Sequence, residues 1–127
     1  MITMAAATCL ALNVYFEARD QSIDGQLMVA EVTMERVRSH SFPDTVCGVV
    51  WQPGAFSWTR DGKSDKPMEI TAWLQAQIIA NEVLLYGCTL CTGATHYHTS
   101  DSYPGWARRM QFVGVWGDHV FYEEKNK

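Results

Sequence analysis

From Met1 to Phe16 the chain carries no charged side chain, and its apolar residues fall on every side of a helical wheel. A helix over residues 3–16 with no polar face is one buried all round. The apolar run gives out at Glu17 and Arg19, and residues 20–25 read as a loop in which Ser22 is placed to cap the next helix. Residues 26–39 form an amphipathic helix: Leu27, Ala30, Met34 and Val37 share one side, while Glu31, Glu35, Arg36 and Arg38 take the other and are expected in solvent. Pro43 forces Phe42 out of helical geometry, and Asp44 is positioned to cap a short apolar turn over residues 45–51.

Gln52, Pro53 and Gly54 are turn residues, residues 55–58 read as extended, and residues 59–66 as a polar loop turning at Asp61 and Gly62. Pro67 suits a first helical position with Glu69 in the first turn, and a third long helix runs over residues 70–86 to a stop at Gly87. Trp73, Ala76, Ala80, Val83 and Leu84 make its core stripe. After Gly87 the period shortens to that of strands. Residues 94–98 predict a strand, residues 100–106 a loop, and residues 111–116 and 119–122 a hairpin turning at Gly117 and Asp118. The result is an α+β chain, helical first and closing in a small antiparallel sheet, and residues 1–127 form one domain.

Composition narrows the class. With 47% hydrophobic and 19% charged residues the chain has the balance of a soluble folded domain. A net charge of −4 without any basic run excludes a nucleic-acid backbone as partner. The N-terminal apolar segment is too short before Glu17 to span a bilayer, so no stable membrane association is expected. It also lacks the positive start of a secretory signal. Five Trp, five Tyr and five Phe exceed what a core this small requires, and aromatic rings also wall grooves that hold sugars or peptides.

Four clusters break the core-and-surface pattern: Glu17 with Arg19; Trp51, Gln52, Phe56, Ser57 and Trp58; Thr95, His96, Tyr97 and His98; and Tyr103 with Trp106. Glu17 closes a greasy helix beside Tyr15 and Phe16. Burial there, and the negative end of the helix dipole, disfavour its ionised form, which suits a proton donor. The plain alternative is a helix-end pair with Arg19. Ser57 lacks the Gly-x-Ser-x-Gly setting of a nucleophile elbow, and neither Cys88 nor Cys91 has an activating helix terminus.

Cys88 and Cys91 with His96 and His98 offer zinc donors, the basis of a zinc-dependent stem-peptide amidase or peptidase as a competing reading, but a second knuckle is missing. A disulfide at Cys88 is favoured over metal for a protein working outside the cytosol, and Cys9 and Cys47 are expected as buried thiols. A glycosidase fits best: Glu17 as acid, with the aromatic and amide clusters as walls. Asp20, Asp24, Glu35 and Asp61 are all available as a second carboxylate. A non-catalytic wall-binding module is the third class, in which Trp58 and Tyr97 would matter and Glu17 would not.

Six blocks in order carry a resemblance. Residues 12–19 (Leu-Asn-Val-Tyr-Phe-Glu-Ala-Arg), 25–37, 42–50, 56–58 (Phe-Ser-Trp), 93–98 (Gly-Ala-Thr-His-Tyr-His) and 117–122 (Gly-Asp-His-Val-Phe-Tyr) resemble the cell-wall hydrolase family typified by the spore cortex-lytic enzyme SleB. The resemblance spans nearly the whole chain. It implies a lysozyme-like, lytic-transglycosylase-like fold that cleaves the bond between N-acetylmuramic acid and N-acetylglucosamine in bacterial peptidoglycan. In that family the Glu matching Glu17 is the acid/base, and the muramic C6 hydroxyl closes on C1, so neither metal nor cofactor is required. Gln52, Phe56, Ser57, Trp58, Thr95, His96, Tyr97 and His98 are expected along the groove, with Arg19, Asp20, Glu35, Tyr103 and Trp106 as further candidates.

Two positions depart from the family pattern. Asp20 and Gln21 stand where Gly-Glu is usual, and Glu35 where Asn is usual, which leaves transglycosylation and hydrolysis both open. Spore members carry export signals and an extra binding domain. Without them here, a monomeric endolysin-like role is expected, with synthesis in the cytoplasm and action on the wall.

Overall fold

A computed structural model describes residues 3–125. Four α-helices precede the sheet: α1 (Met4–Ala18), α2 (Ile23–Arg38), α3 (Val46–Val50) and α4 (Ile70–Tyr86). Strands β1 (His96–Thr99), β2 (Gln111–Trp116) and β3 (His119–Glu123) form an antiparallel sheet in the order β1-β3-β2. Short 3-10 turns lie at Ser57–Arg60 and Gly105–Arg109. Among the described residues no helix is long and apolar enough to cross a membrane.

The helix starts follow local chemistry. Thr3, Ser22 and Thr45 each accept a backbone N–H of the first turn with the side-chain oxygen. Thr45, not Asp44, therefore caps α3. Helix α4 runs over the expected residues 70–86, but Pro67 is not its first position: Glu69 precedes it as an extended N-cap, its backbone N–H donating to the Tyr15 hydroxyl at 3.0 Å. Gly87 ends α4 with φ 80°, a value that favours glycine. Residues 55–58 are extended only as far as Phe56, after which Ser57 opens a 3-10 turn. The strand begins at His96, two residues late, although the Thr95 N–H already donates to the Tyr122 carbonyl.

Helix α2 is the centre of the molecule, and it departs most from the amphipathic reading. On one side Leu27 and Ala30 join α1, α3 and α4 in the larger core. On the other, Met28, Val29 and Val32 pack with Ala18 at the end of α1 and with Ala94 and Phe121 of the sheet lobe. With a lobe on each side, little of α2 is left for solvent, and Glu31 and Arg36 are buried as well. Glu31 accepts the backbone N–H groups of Thr89, Leu90 and Cys91 at 2.8–3.0 Å, which satisfies a buried carboxylate.

The cysteines are paired. Cys9 and Cys47 are not free thiols: the α1 and α3 backbones run close enough, 5.3 Å between Cα atoms, to join them in a disulfide. Cys88 and Cys91 form the second bridge, in the loop that Glu31 holds.

Candidate active site

Glu17 is placed by the last turn of α1, which is locked from below. One turn earlier, buried Asn13 accepts the indole N–H of Trp58 at 2.8 Å and donates to the Thr33 hydroxyl. Phe16 stacks on the Trp58 ring with centroids 4.8 Å apart. From the opposite lobe, the Tyr97 hydroxyl of β1 donates to Glu17 Oε1 at 2.5 Å. The Tyr97 ring is wedged by Phe56, Phe121 and an edge of His119, so its hydroxyl has little freedom to swing.

Burial lifts the Glu17 carboxyl above its ordinary 4.5, against the opposing pull of the Tyr97 donor and of Arg36. Tyr97 is driven well above its own range, chiefly by burial and then by the Glu17 charge, so it remains a proton donor. Two hollows flank this pair. One of about 500 Å³ is lined by Phe16, Glu17, Arg19, Asp20 and Glu69. The other, about 460 Å³, is lined by residues that include Arg36, Gln52, His96, Tyr97 and Trp106. Glu17 lines the first and Tyr97 the second, and the hydrogen bond between them links the two linings.

Arg36 was not among the sequence candidates. Its guanidinium lies over the Phe42 ring at 4.9 Å and the Phe56 ring at 5.3 Å, and Nε donates to the Thr95 carbonyl at 2.7 Å. The nearby cation and, more strongly, burial lower the His96 pKa to about 4, which keeps that ring neutral near pH 7. The sequence signal that bears on Arg36 is the run Leu27, Met28, Val29, Ala30, which covers every side of α2; it marks a helix packed on both sides but not which charged residue is enclosed.

Other expected site residues divide. Gln52, His96, Tyr97 and Trp106 line the second hollow, and Arg19 and Asp20 the first. Arg19 turns away from Glu17: it pairs with Glu69 at 3.1 Å and lies over the Tyr15 ring. Phe56, Trp58 and Thr95 are buried, so they stand behind the groove wall instead of facing it. The Trp58 N–H is spent on Asn13, and the Thr95 hydroxyl shares a hydrogen bond with His96 Nδ1.

His98 stacks on Tyr122 and bonds to its hydroxyl, with Tyr103 at its edge, and lies outside both hollows. His96 and His98 do share a sheet face, each against Trp106. Ser57 is exposed at its 3-10 turn. Glu35 pairs with Arg38 at 2.6 Å beside a separate hollow of about 320 Å³, away from Glu17. Cys88 and Cys91 are bonded to each other, which removes the thiolates a zinc site would draw on.

A helical lobe and a small sheet closing on one desolvated carboxyl define a lysozyme-like fold, and two solved structures match it over almost their whole length. The catalytic domain of the germination-specific lytic transglycosylase SleB from Bacillus anthracis gives a TM-score of 0.80 at 28% identity, covering 96% of this chain and 97% of that one. The catalytic domain of the Bacillus cereus SleB protein gives 0.77 at 29% identity, covering 97% and 93%. The chain belongs to the cell wall hydrolase family, whose profile matches residues 20–122 and so begins just past Glu17.

This is the family that the six sequence blocks resemble. Among its relatives, the spore cortex-lytic enzyme of Bacillus subtilis is 43% identical over 118 residues, covering 90% of this chain and 36% of that protein. The one from Oceanobacillus iheyensis is 34% identical over 116 residues, covering 88% and 39%. The chain thus spans well under half the length of the curated relatives it matches.

Proposed function

We propose that the protein cleaves the glycan strand of peptidoglycan between N-acetylmuramic acid and N-acetylglucosamine, with Glu17 as the single acid/base. The observation that carries this is a carboxyl raised in pKa by burial, gripped on one oxygen by Tyr97, and open to a hollow large enough for a sugar. Because Tyr97 donates to Oε1, the acidic proton belongs on Oε2. That proton passes to the glycosidic oxygen as the bond to the muramic C1 breaks. The resulting carboxylate takes a proton back from the muramic C6 hydroxyl as its oxygen closes on C1, leaving a 1,6-anhydro end and an unchanged enzyme. No water is consumed, and no second carboxylate is needed.

Both disulfides support work outside the reducing cytosol, at the wall itself, in keeping with a lytic role. The test is digestion of purified sacculi by wild type and Glu17→Gln side by side, with mass spectrometry of the products. Anhydro-muropeptides from wild type and none from a folded Glu17→Gln variant are expected. Full activity in that variant, or free peptide termini in place of glycan ends, would overturn the assignment.

A further inference from the structure

Arg36 is left with unspent donors. Only 7% of its surface is exposed, the Phe42 and Phe56 rings pack on the guanidinium, and Nε is committed to the Thr95 carbonyl. Among the described residues no carboxylate approaches it to within salt-bridge distance, since the ion pairs found there are Arg19 with Glu69 and Arg38 with Glu35. The Glu17 and Glu124 charges reach this guanidinium only from beyond salt-bridge distance, which leaves its terminal N–H groups as donors for an arriving anion. With Nε committed, the donors left are the forked terminal N–H groups, and Arg36 lines a hollow of about 460 Å³ from which an anion can approach them. Edge-on, paired N–H groups are the geometry that recognises a carboxylate.

We propose that Arg36 is the receptor for a carboxylate carried by the muramoyl unit, bound in the hollow between Gln52, His96 and Tyr97. This rests on the glycan-cleaving reading, because it places the acidic arm of the substrate beside the ring whose C1 reacts at Glu17. Tyr97 lines this hollow and also holds Glu17, so an anion seated on Arg36 is registered against the acid. His96, neutral near pH 7, adds no competing charge. Two carboxylates have the required chemistry: that of the lactyl group itself, where no peptide is attached, and those of the stem peptide where one is.

The test is binding, read by co-sedimentation of the Glu17→Gln protein with sacculi in two forms. One is untreated and one has its carboxylates converted to neutral methylamides; soluble glycan strands freed of stem peptides by an amidase, which carry exposed lactyl carboxylates, are added to the first as competitor. Methylamidation is expected to weaken binding about tenfold or more, the scale of one charge-assisted pair. Because the protein carries a net charge of −4, bulk electrostatics push the other way, toward tighter binding on neutralised sacculi. Competition by the stripped strands assigns the lactyl carboxylate; its absence assigns the stem peptide.

In the Glu17→Gln background, adding Arg36→Gln should erase the difference between untreated and methylamidated sacculi. Arg36→Lys, which keeps the charge but not the fork, should narrow it. Equal binding to both forms by the parent protein, no binding to either, or a difference that survives in Arg36→Gln would overturn the proposal. The parent comparison stands even if an Arg36 variant does not fold. Release of fragments from untreated sacculi by wild type is scored separately, so a failure of glycan cleavage is told apart from a failure of carboxylate recognition.

Discussion

The Tyr97 hydroxyl donates to Glu17 Oε1 across 2.5 Å, joining the first strand of the sheet to the end of the first helix. This contact ties the two lobes together at the proposed acid, and it opposes the burial that raises the Glu17 pKa. Tyr97→Phe should therefore act twice. Without the donor the carboxyl is free to rotate, and kcat should fall by about one to two orders of magnitude, the cost of one hydrogen bond to a charged group. The Glu17 pKa should also rise further, so the limb of the pH–rate profile on which activity is lost by deprotonation of the acid should move to higher pH. An unchanged limb would dissociate Tyr97 from the titration of Glu17.

Glu17→Gln should stabilise the fold, and the gain should depend on pH. The folded-state pKa of Glu17 lies above the ordinary carboxyl value of 4.5, so the wild-type fold is favoured by the neutral form and loses stability as the group is forced to ionise. Below the unfolded-state value the two proteins should melt alike. As pH rises through the folded-state pKa the variant should melt progressively higher, then the difference should level off. Thermal melts across pH check this. A variant less stable than wild type at neutral pH would mean that Tyr97 and Arg36 outweigh the desolvation.

The order of helices and strands was legible because it depends on period, caps and turn residues that each segment carries within itself. Ser22, Gly87 and the Gly117–Asp118 turn all sit where local chemistry put them. What was not legible is what requires two distant segments at once. Glu31 and Arg36 look like solvated charges until a lobe is packed on each side of α2. Cys9 looks like a core thiol until α3 is laid beside α1. The same limit governs the site. Glu17 is a candidate from its own helix alone, whereas Trp58 and Phe56, expected along the groove, are buried. A ring facing substrate and a ring packed behind it are the same letter in a sequence.

Asn13→Ala should loosen the acid from behind. Asn13 is fully buried and holds the Trp58 indole N–H, so the substitution leaves that donor unsatisfied in a closed core. The expected cost is about 1–3 kcal/mol, seen as a lower denaturant midpoint with unchanged slope. Since Phe16 stacks on the same indole and Glu17 is the next residue, kcat should fall while KM holds. Loss of stability with full activity would show that the register of the α1 end is set elsewhere.

The two disulfides should contribute unequally. Constraining an unfolded chain is worth more the longer the loop closed, and Cys9 and Cys47 are 38 residues apart while Cys88 and Cys91 are three apart. Loop-closure entropy gives roughly 4 kcal/mol for the first and about half that for the second. The shorter bridge is also backed by the Glu31 carboxylate, which holds the N–H groups of Thr89, Leu90 and Cys91 whether or not the sulfurs are joined. Replacing Cys9 and Cys47 by Ala should therefore lower the unfolding free energy by about twice as much as replacing Cys88 and Cys91, or more. Reduction of wild type should reproduce at least the larger loss. Equal effects of the two pairs would mean that the short loop does more for the folded state than its length allows, with Glu31→Gln as the variant that locates the difference.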